Sequence, residues 1–332
     1  TIKDSKIVND LKEYHMSPSG KAGWYNDIAA IKLFNSNYTD AILMASYNGS
    51  LECLEMINDM GINLNVTSIN EYGITFNPIF IAAEFGQESC LRLFKKTGAD
   101  LGQVDYFRNT PGHLAARNGQ EGCLRVLKEY GYNLGELNDN NENSLFWAAR
   151  NGHEGCLTLL NDFGVSFHQV NKYGENPAHP AARNGHEGCL LILKELGCIL
   201  DQVNIYGNTI MHAAAGGGHE GCLRFLKELG FDLGQANNNG NTPAHQAARE
   251  GHSGCLHILK DAGCNLELAD NNGVTPALMA SQNGHTECLQ FLQEAGCDLG
   301  QADYFGLTPA NVADRCGHED CLRLLKEAGY NQ

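Results

Sequence analysis

No stretch of this chain approaches the run of about 18 apolar residues that a membrane-spanning helix needs. Its start also lacks the charged-then-apolar pattern of a secretory signal. No membrane insertion is expected. Basic residues are scarce, with 23 Lys and Arg against 39 Asp and Glu and a net charge of −16. DNA, RNA and anionic membranes are bound through concentrated Lys and Arg, so none is expected as the main partner. A catalytic set is missing too. An active site needs unlike residues converging on one place, and no nucleophile here is uniquely paired with a base. Neither enzymatic activity nor a cofactor or metal is expected.

Cysteine, by contrast, is abundant: there are 13. Nine begin a Cys-Leu pair, at Cys53, Cys90, Cys123, Cys156, Cys189, Cys222, Cys255, Cys288 and Cys321, and the last eight are each 33 residues apart. A fixed period of that length means one small unit copied and stacked, each copy too small to bury an apolar face alone. The fold expected is a solenoid. Equivalent positions on stacked helices lie roughly 8–10 Å apart, beyond the roughly 7 Å Cα separation a disulfide tolerates. The thiols are therefore expected to be free and, at the repeated place, buried. That implies a reducing compartment, cytoplasm or nucleus.

The most regular unit runs from Asn238 to Cys264. Asn239-Gly240 marks a tight turn. Thr242 is placed to cap a helix, with Pro243 at its first position, where a missing N–H costs nothing. Ala247 and Ala248 allow close helix approach, and Gly251 ends the helix. A second helix, starting near His252, carries Cys255, Leu256, Ile258 and Leu259 as an apolar stripe of helical period until Gly263. Through its Gly-x-Thr-Pro-x-His-x-Ala-Ala and Gly-His segments this unit resembles the ankyrin repeat. Seven units from about residue 102 share the register and two looser ones precede them, nine in all. The resemblance implies an all-α solenoid of helix-turn-helix units over 37–332, with turns projecting as hairpin-like fingers beside a concave face built from the first helices.

The His-x-x-Cys pairs, such as His153 with Cys156 and His318 with Cys321, have metal-ligand residue types. Zinc needs four ligands at one point, whereas these pairs are spread along the repeats; His after Gly is a family feature of the loop between helices. His113, His179, His212 and His245 fall three residues after the cap, where the resemblance implies an imidazole tying the cap to the next repeat.

Positions that vary are the candidates for recognition. After the two alanines stand Arg117, Arg150, Arg183, Arg249 and Arg315, interrupted by Gly216 and Gln282. The family geometry implies that this position faces the concave side, and guanidinium groups there would suit an acidic or phosphorylated protein or peptide. Arginine is equally a good helix former. Turn tips carry Tyr106, Phe107, Tyr173, Tyr206, Tyr304 and Phe305, a residue class enriched at binding hot spots. Packing against the next finger would also account for them. Trp147 is the best single anchor.

Two turns depart from the pattern: Arg108 stands where glycine is expected, and the unit around residue 140 loses its Gly, Thr-Pro and His together, so both are expected to be distorted. Pro180 should remove an early hydrogen bond from its helix. The second unit is longer, through Val66 to Asn77, so its finger should differ. Residues 1–36 lack the repeat and read as an N-terminal helical cap or linker, with Trp24, Ile28, Ile31 and Leu33 on one piece. The initial Thr and the apolar stripe kept by the last unit lead to the expectation of a piece cut from a longer protein. The function expected is a non-enzymatic scaffold binding a partner protein or peptide on the concave face and fingertips. Alternatives are the targeting or substrate-recognition arm of a larger enzyme, a host-directed pathogen effector, and a purely structural spacer.

Overall fold

The structure, a computed structural model, describes residues 38–69 and 75–330. The cap expected over residues 1–36 lies outside the described residues. The chain divides into two compact units, Thr1–Ser166 and Phe167–Gln332.

In the first unit, helices pair as α1 (Thr39–Asn48) with α2 (Leu51–Asp59), α3 (Pro78–Glu84) with α4 (Glu88–Lys96), α5 (Pro111–Arg117) with α6 (Glu121–Glu129), and α7 (Ser144–Asn151) with α8 (Glu154–Asp162). In the second, the pairs are α9 (Ala178–Arg183) with α10 (Glu187–Glu195), α11 (Ile210–Gly216) with α12 (Glu220–Glu228), α13 (Pro243–Glu250) with α14 (Ser253–Asp261), α15 (Pro276–Asn283) with α16 (Thr286–Glu294), and α17 (Pro309–Cys316) with α18 (Glu319–Glu327). Within each unit, first helices stack on first helices and second on second. This is the expected helix-turn-helix solenoid. One departure from an all-helical chain occurs among the described residues: β1 (Ser68–Ile69) pairs antiparallel with β2 (Thr75–Phe76), in the lengthened finger.

Sequence chemistry sets the helix ends. Thr110, Thr209, Thr242 and Thr308 form capping boxes with the residue three positions on. Second helices have no side-chain cap but nearly all open on an acidic first turn, and several close on lysine, which suits the helix dipole. Lys128, Lys227 and Lys260 then reach the next repeat, donating to the carbonyls of Phe163, Asp261 and Ala295 at 2.9, 2.8 and 3.0 Å.

All nine Cys-Leu cysteines are buried on the second helices, at most 1% exposed. With Leu223 and Leu226 beside Cys222 at 0%, each such leucine contributes about 2 kcal/mol. None of the thirteen cysteines, all among the described residues, forms a disulfide. Cys222→Ser places a hydroxyl in this stripe, and urea unfolding should register a loss of about 1–3 kcal/mol. Exposed Arg249→Ala should cost little. Equal losses would contradict the assignment of buried and open faces.

The irregular turns are not distorted, contrary to expectation. Arg108 and Asn141 adopt φ of 61° and 60° where other units have glycine. The same hydrogen bonds close the turns, Arg108 N–H to the Asp105 carbonyl and Asn141 N–H to the Asn138 carbonyl, both at 3.0 Å. An Asx side chain at the head of each turn explains this: Asp105 Oδ1 accepts from the N–H groups of Phe107 and Asn109 at 2.9 and 2.7 Å, holding the loop whatever occupies the strained position. Asn143 replaces the missing Thr cap, accepting from Leu145 and Phe146. Pro180, which has no N–H to donate, removes an early hydrogen bond as expected, and α9 begins late and has only 6 residues.

Candidate functional site

Three features define the side of each repeat made by the first helices and turns: how the turns are locked, where the arginines point, and what the histidines are tied to.

Turns are joined to their neighbours by single backbone bonds. In the first unit Asp139 N–H donates to the Phe107 carbonyl at 3.0 Å. In the second, Ile205, Asn238, Asn271 and Tyr304 donate to Tyr173, Tyr206, Asn239 and Asn272 at 2.9–3.0 Å. The aromatic tips are nevertheless open: Tyr106 is 88%, Tyr304 77% and Phe305 80% exposed, with Phe107, Tyr173 and Tyr206 also exposed. Tyr106 and Phe107 meet edge to face at 5.2 Å. Packing against the next finger therefore leaves most of these rings in water. Ile205, exposed at the same tip as Tyr206, escaped the sequence reading because it is not aromatic.

The arginines at the end of the first helices are not equivalent. Arg150 pairs with Glu142 and Arg183 with Glu175, each eight residues earlier in the same unit, on carboxylates that are themselves buried. Burial works against the Glu175 charge, but the Arg183 hydrogen bond and charge overcome it and hold the carboxyl below its ordinary range. Arg249 pairs with its exposed neighbour Glu250 at 2.9 Å. Arg117 lies 5.8 Å from the Trp147 ring centre, and Arg150 lies 6.0 Å from it. Arg315 is exposed at the end of α17. Trp147 is thus half-buried, flanked by two guanidinium groups, with His113 edge-on at 5.9 Å and its buried Nε1–H without a hydrogen-bond partner. Sequence reasoning missed the Glu142 and Glu175 partners. The signal was present, because glutamate stands directly before the cap in these two units alone among the seven regular ones.

Histidines are committed to the scaffold. His113 Nδ1 accepts from Thr110 N–H at 3.0 Å while Nε2 lies 2.9 Å from the Glu142 carbonyl of the next repeat. His212 and His245 repeat this with the Asn241 and Val274 carbonyls at 2.9 and 3.0 Å. Only the neutral Nε2–H tautomer satisfies both ends. Burial accordingly lowers the pKa of His113, His179 and His245, and of His212 to about 4. The histidines after the helix-ending glycines are tied as well: His153, His285 and His318 place Nε2 at 2.9–3.0 Å from the carbonyls of Arg117, Arg249 and Gln282. Gly251 makes room for one such contact, since its φ is +84° and a Cβ there would lie 2.6 Å from His285 Nδ1. Among the described residues no group of three or more His, Cys, Asp or Glu is placed to hold a metal ion. Burial pushes the Cys123, Cys222 and Cys255 thiols up to about 12, which keeps them protonated and unreactive near neutral pH.

Among the described residues no helix is long and apolar enough to cross a membrane. A search of curated proteins returns no match. A family model described as ankyrin repeats (3 copies) matches residues 41–137, 79–169, 113–204, 196–270 and 253–332, which together cover most of the chain. Ankyrin repeats are generally protein–protein interaction modules and typically non-catalytic. With capped helix pairs at a 33-residue period and this match from residue 41 to residue 332, the chain belongs to the ankyrin-repeat family.

Proposed function

We propose that this protein is a non-enzymatic scaffold that binds acidic protein segments on the first-helix and fingertip side of its repeats. The carrying observation is the exposure of six large aromatics on turns that hydrogen bonds hold rigid. Rings carried on a turn backbone that is already ordered add less ordering cost when covered, and such residues dominate interface energetics. Arginines supply the preference for negative charge. Arg117, Arg249 and Arg315 are the groups most free to change partner. Arg150 and Arg183 act with their buried glutamates and orient the surface.

Trp147, with an unpartnered buried N–H and two cationic neighbours, is the proposed anchor. Partners captured from cell extract and identified by mass spectrometry should then be measured directly against variants of the full chain. Trp147→Ala should weaken binding by about 2 kcal/mol, roughly 30-fold. Arg183→Glu should weaken an acidic partner in a salt-sensitive way. Lys194→Glu, on a second helix, should leave affinity unchanged. A partner insensitive to the first two changes and lost with the third would place the interface on the second helices. As the arm of a larger enzyme or a host-directed effector, the chain would use the same surface for targeting.

A further inference from the structure

In the second unit the arginine series is interrupted at Gly216, and the interruption leaves a dent of about 400 Å³ between α9, α11 and α13. Arg183 and Arg249 border it, with Gly216, Gln246 and the buried His212 among its walls. Three consecutive glycines follow Ala215, and the structure separates their roles. Gly218 has φ of +77°, the left-handed geometry that ends the first helices elsewhere. At Gly217 a Cβ would lie 2.2 Å from the Arg183 carbonyl oxygen, so no side chain fits. Gly216 meets neither constraint. It is helical, and a Cβ there would meet nothing closer than Gln246 Cβ at 3.7 Å. Glycine weakens a helix relative to other residues, and neither backbone nor packing calls for it at 216. Its consequence is the dent.

The chemistry of the walls selects an occupant. Both guanidinium groups are half exposed, at 47% and 51%. Glu175 and Glu250 engage only part of the five N–H donors that each guanidinium carries. The Arg249–Glu250 pair is exposed on both sides and so worth little, which lets Glu250 swing into solvent. With Glu250, itself a wall residue, turned away, the two guanidinium charges of the walls face the buried negative charge of Glu175, which pairs with Arg183 from outside the lining. One carboxylate balances them; a dianionic phosphate exceeds them. His212 adds no charge, because its ring nitrogens are taken by Thr209 and the Asn241 carbonyl.

We infer that the Gly216 dent seats one glutamate side chain of an acidic partner peptide, its carboxylate held between Arg183 and Arg249. The inference rests on the binding function proposed above and names its charge-reading subsite.

The test uses the isotope-labelled full chain and three synthetic probes: hexaglutamate, hexaglutamine, and a Gly-Gly-phosphoserine-Gly-Gly peptide. Hexaglutamate should shift the Gly216 amide and the Arg183 and Arg249 Nε–H signals saturably, and less at high salt, while hexaglutamine should not. Gly216→Gln fills the dent without adding charge, with the residue that Gln282 places there in another repeat. It should raise the dissociation constant at least tenfold with an unchanged or higher melting temperature. Hexaglutamate shifts that miss Gly216, or that survive Gly216→Gln, would overturn the inference. So would tighter binding of the phosphoserine peptide at the same signals. If Gly216→Gln spares a captured partner that Trp147→Ala releases, the subsite is wrong and the scaffold reading stands.

Discussion

Acidification from pH 7.5 to about 4.5 should strip this protein of much of its stability. Three buried imidazoles, His113, His212 and His245, are held neutral by paired acceptor and donor roles, and burial depresses the folded-state pKa of these and of His179. The sign follows from linkage. In the unfolded chain histidine takes up a proton near 6.5, whereas His212 in the folded chain does so only at about 4. Between those values the unfolded state binds more protons, so stability is full above about pH 6.5 and falls as pH drops toward 4. His212 alone contributes a loss on the order of 3 kcal/mol across that window. Glu84 opposes the trend: burial raises its pKa, despite the charge of Arg117, so its folded form takes up a proton first. Urea unfolding at stepped pH measures the effect. His212→Asn isolates it, since Asn311 already fills the equivalent place in a capping box. The variant should be weaker at pH 7.5 yet lose less on acidification. An unchanged pH slope would show that this imidazole is not held neutral by the fold.

Phe146→Ala should be the most damaging single substitution on the first-helix side, at about 3–5 kcal/mol. Phe146 is fully buried in α7 at the place other repeats give to the cap histidine. Here the cap is Asn143, which serves two ends at once: its side-chain oxygen accepts from Leu145 and Phe146, and its amide donates to the Ser166 carbonyl at 2.9 Å. The ring is thus relieved of any polar duty and fills volume. Phe146→Leu, which keeps most of that volume, should cost about 1–2 kcal/mol. Hydrogen exchange should place the added opening of the alanine variant in the first unit. A loss below 1 kcal/mol would mean that the site collapses around the missing ring.

How much could be read without coordinates depended on whether the cause was local or lay in a neighbouring repeat. Cys222, Thr242, Pro243 and Gly251 each act through their own helix or the next turn, so their spacing sufficed to place buried stripe, cap and stop. The 33-residue period then required stacking, because no single helix pair can bury its stripe. The tertiary structure decided what each exposed position is free to do. Arg150 and Arg183 share a sequence pattern with Arg117 and Arg315, but only folding brings Glu142 and Glu175 beneath the first two. The turns at Arg108 and Asn141 looked broken because the deciding residue is the Asx side chain that closes the loop through space. Gly216, Gly217 and Gly218 are identical letters. The sequence alone could mark that the arginine series stops there; the close approach of the Arg183 carbonyl to 217, and of nothing nearer than Gln246 at 3.7 Å to 216, is a property of neighbouring repeats in contact.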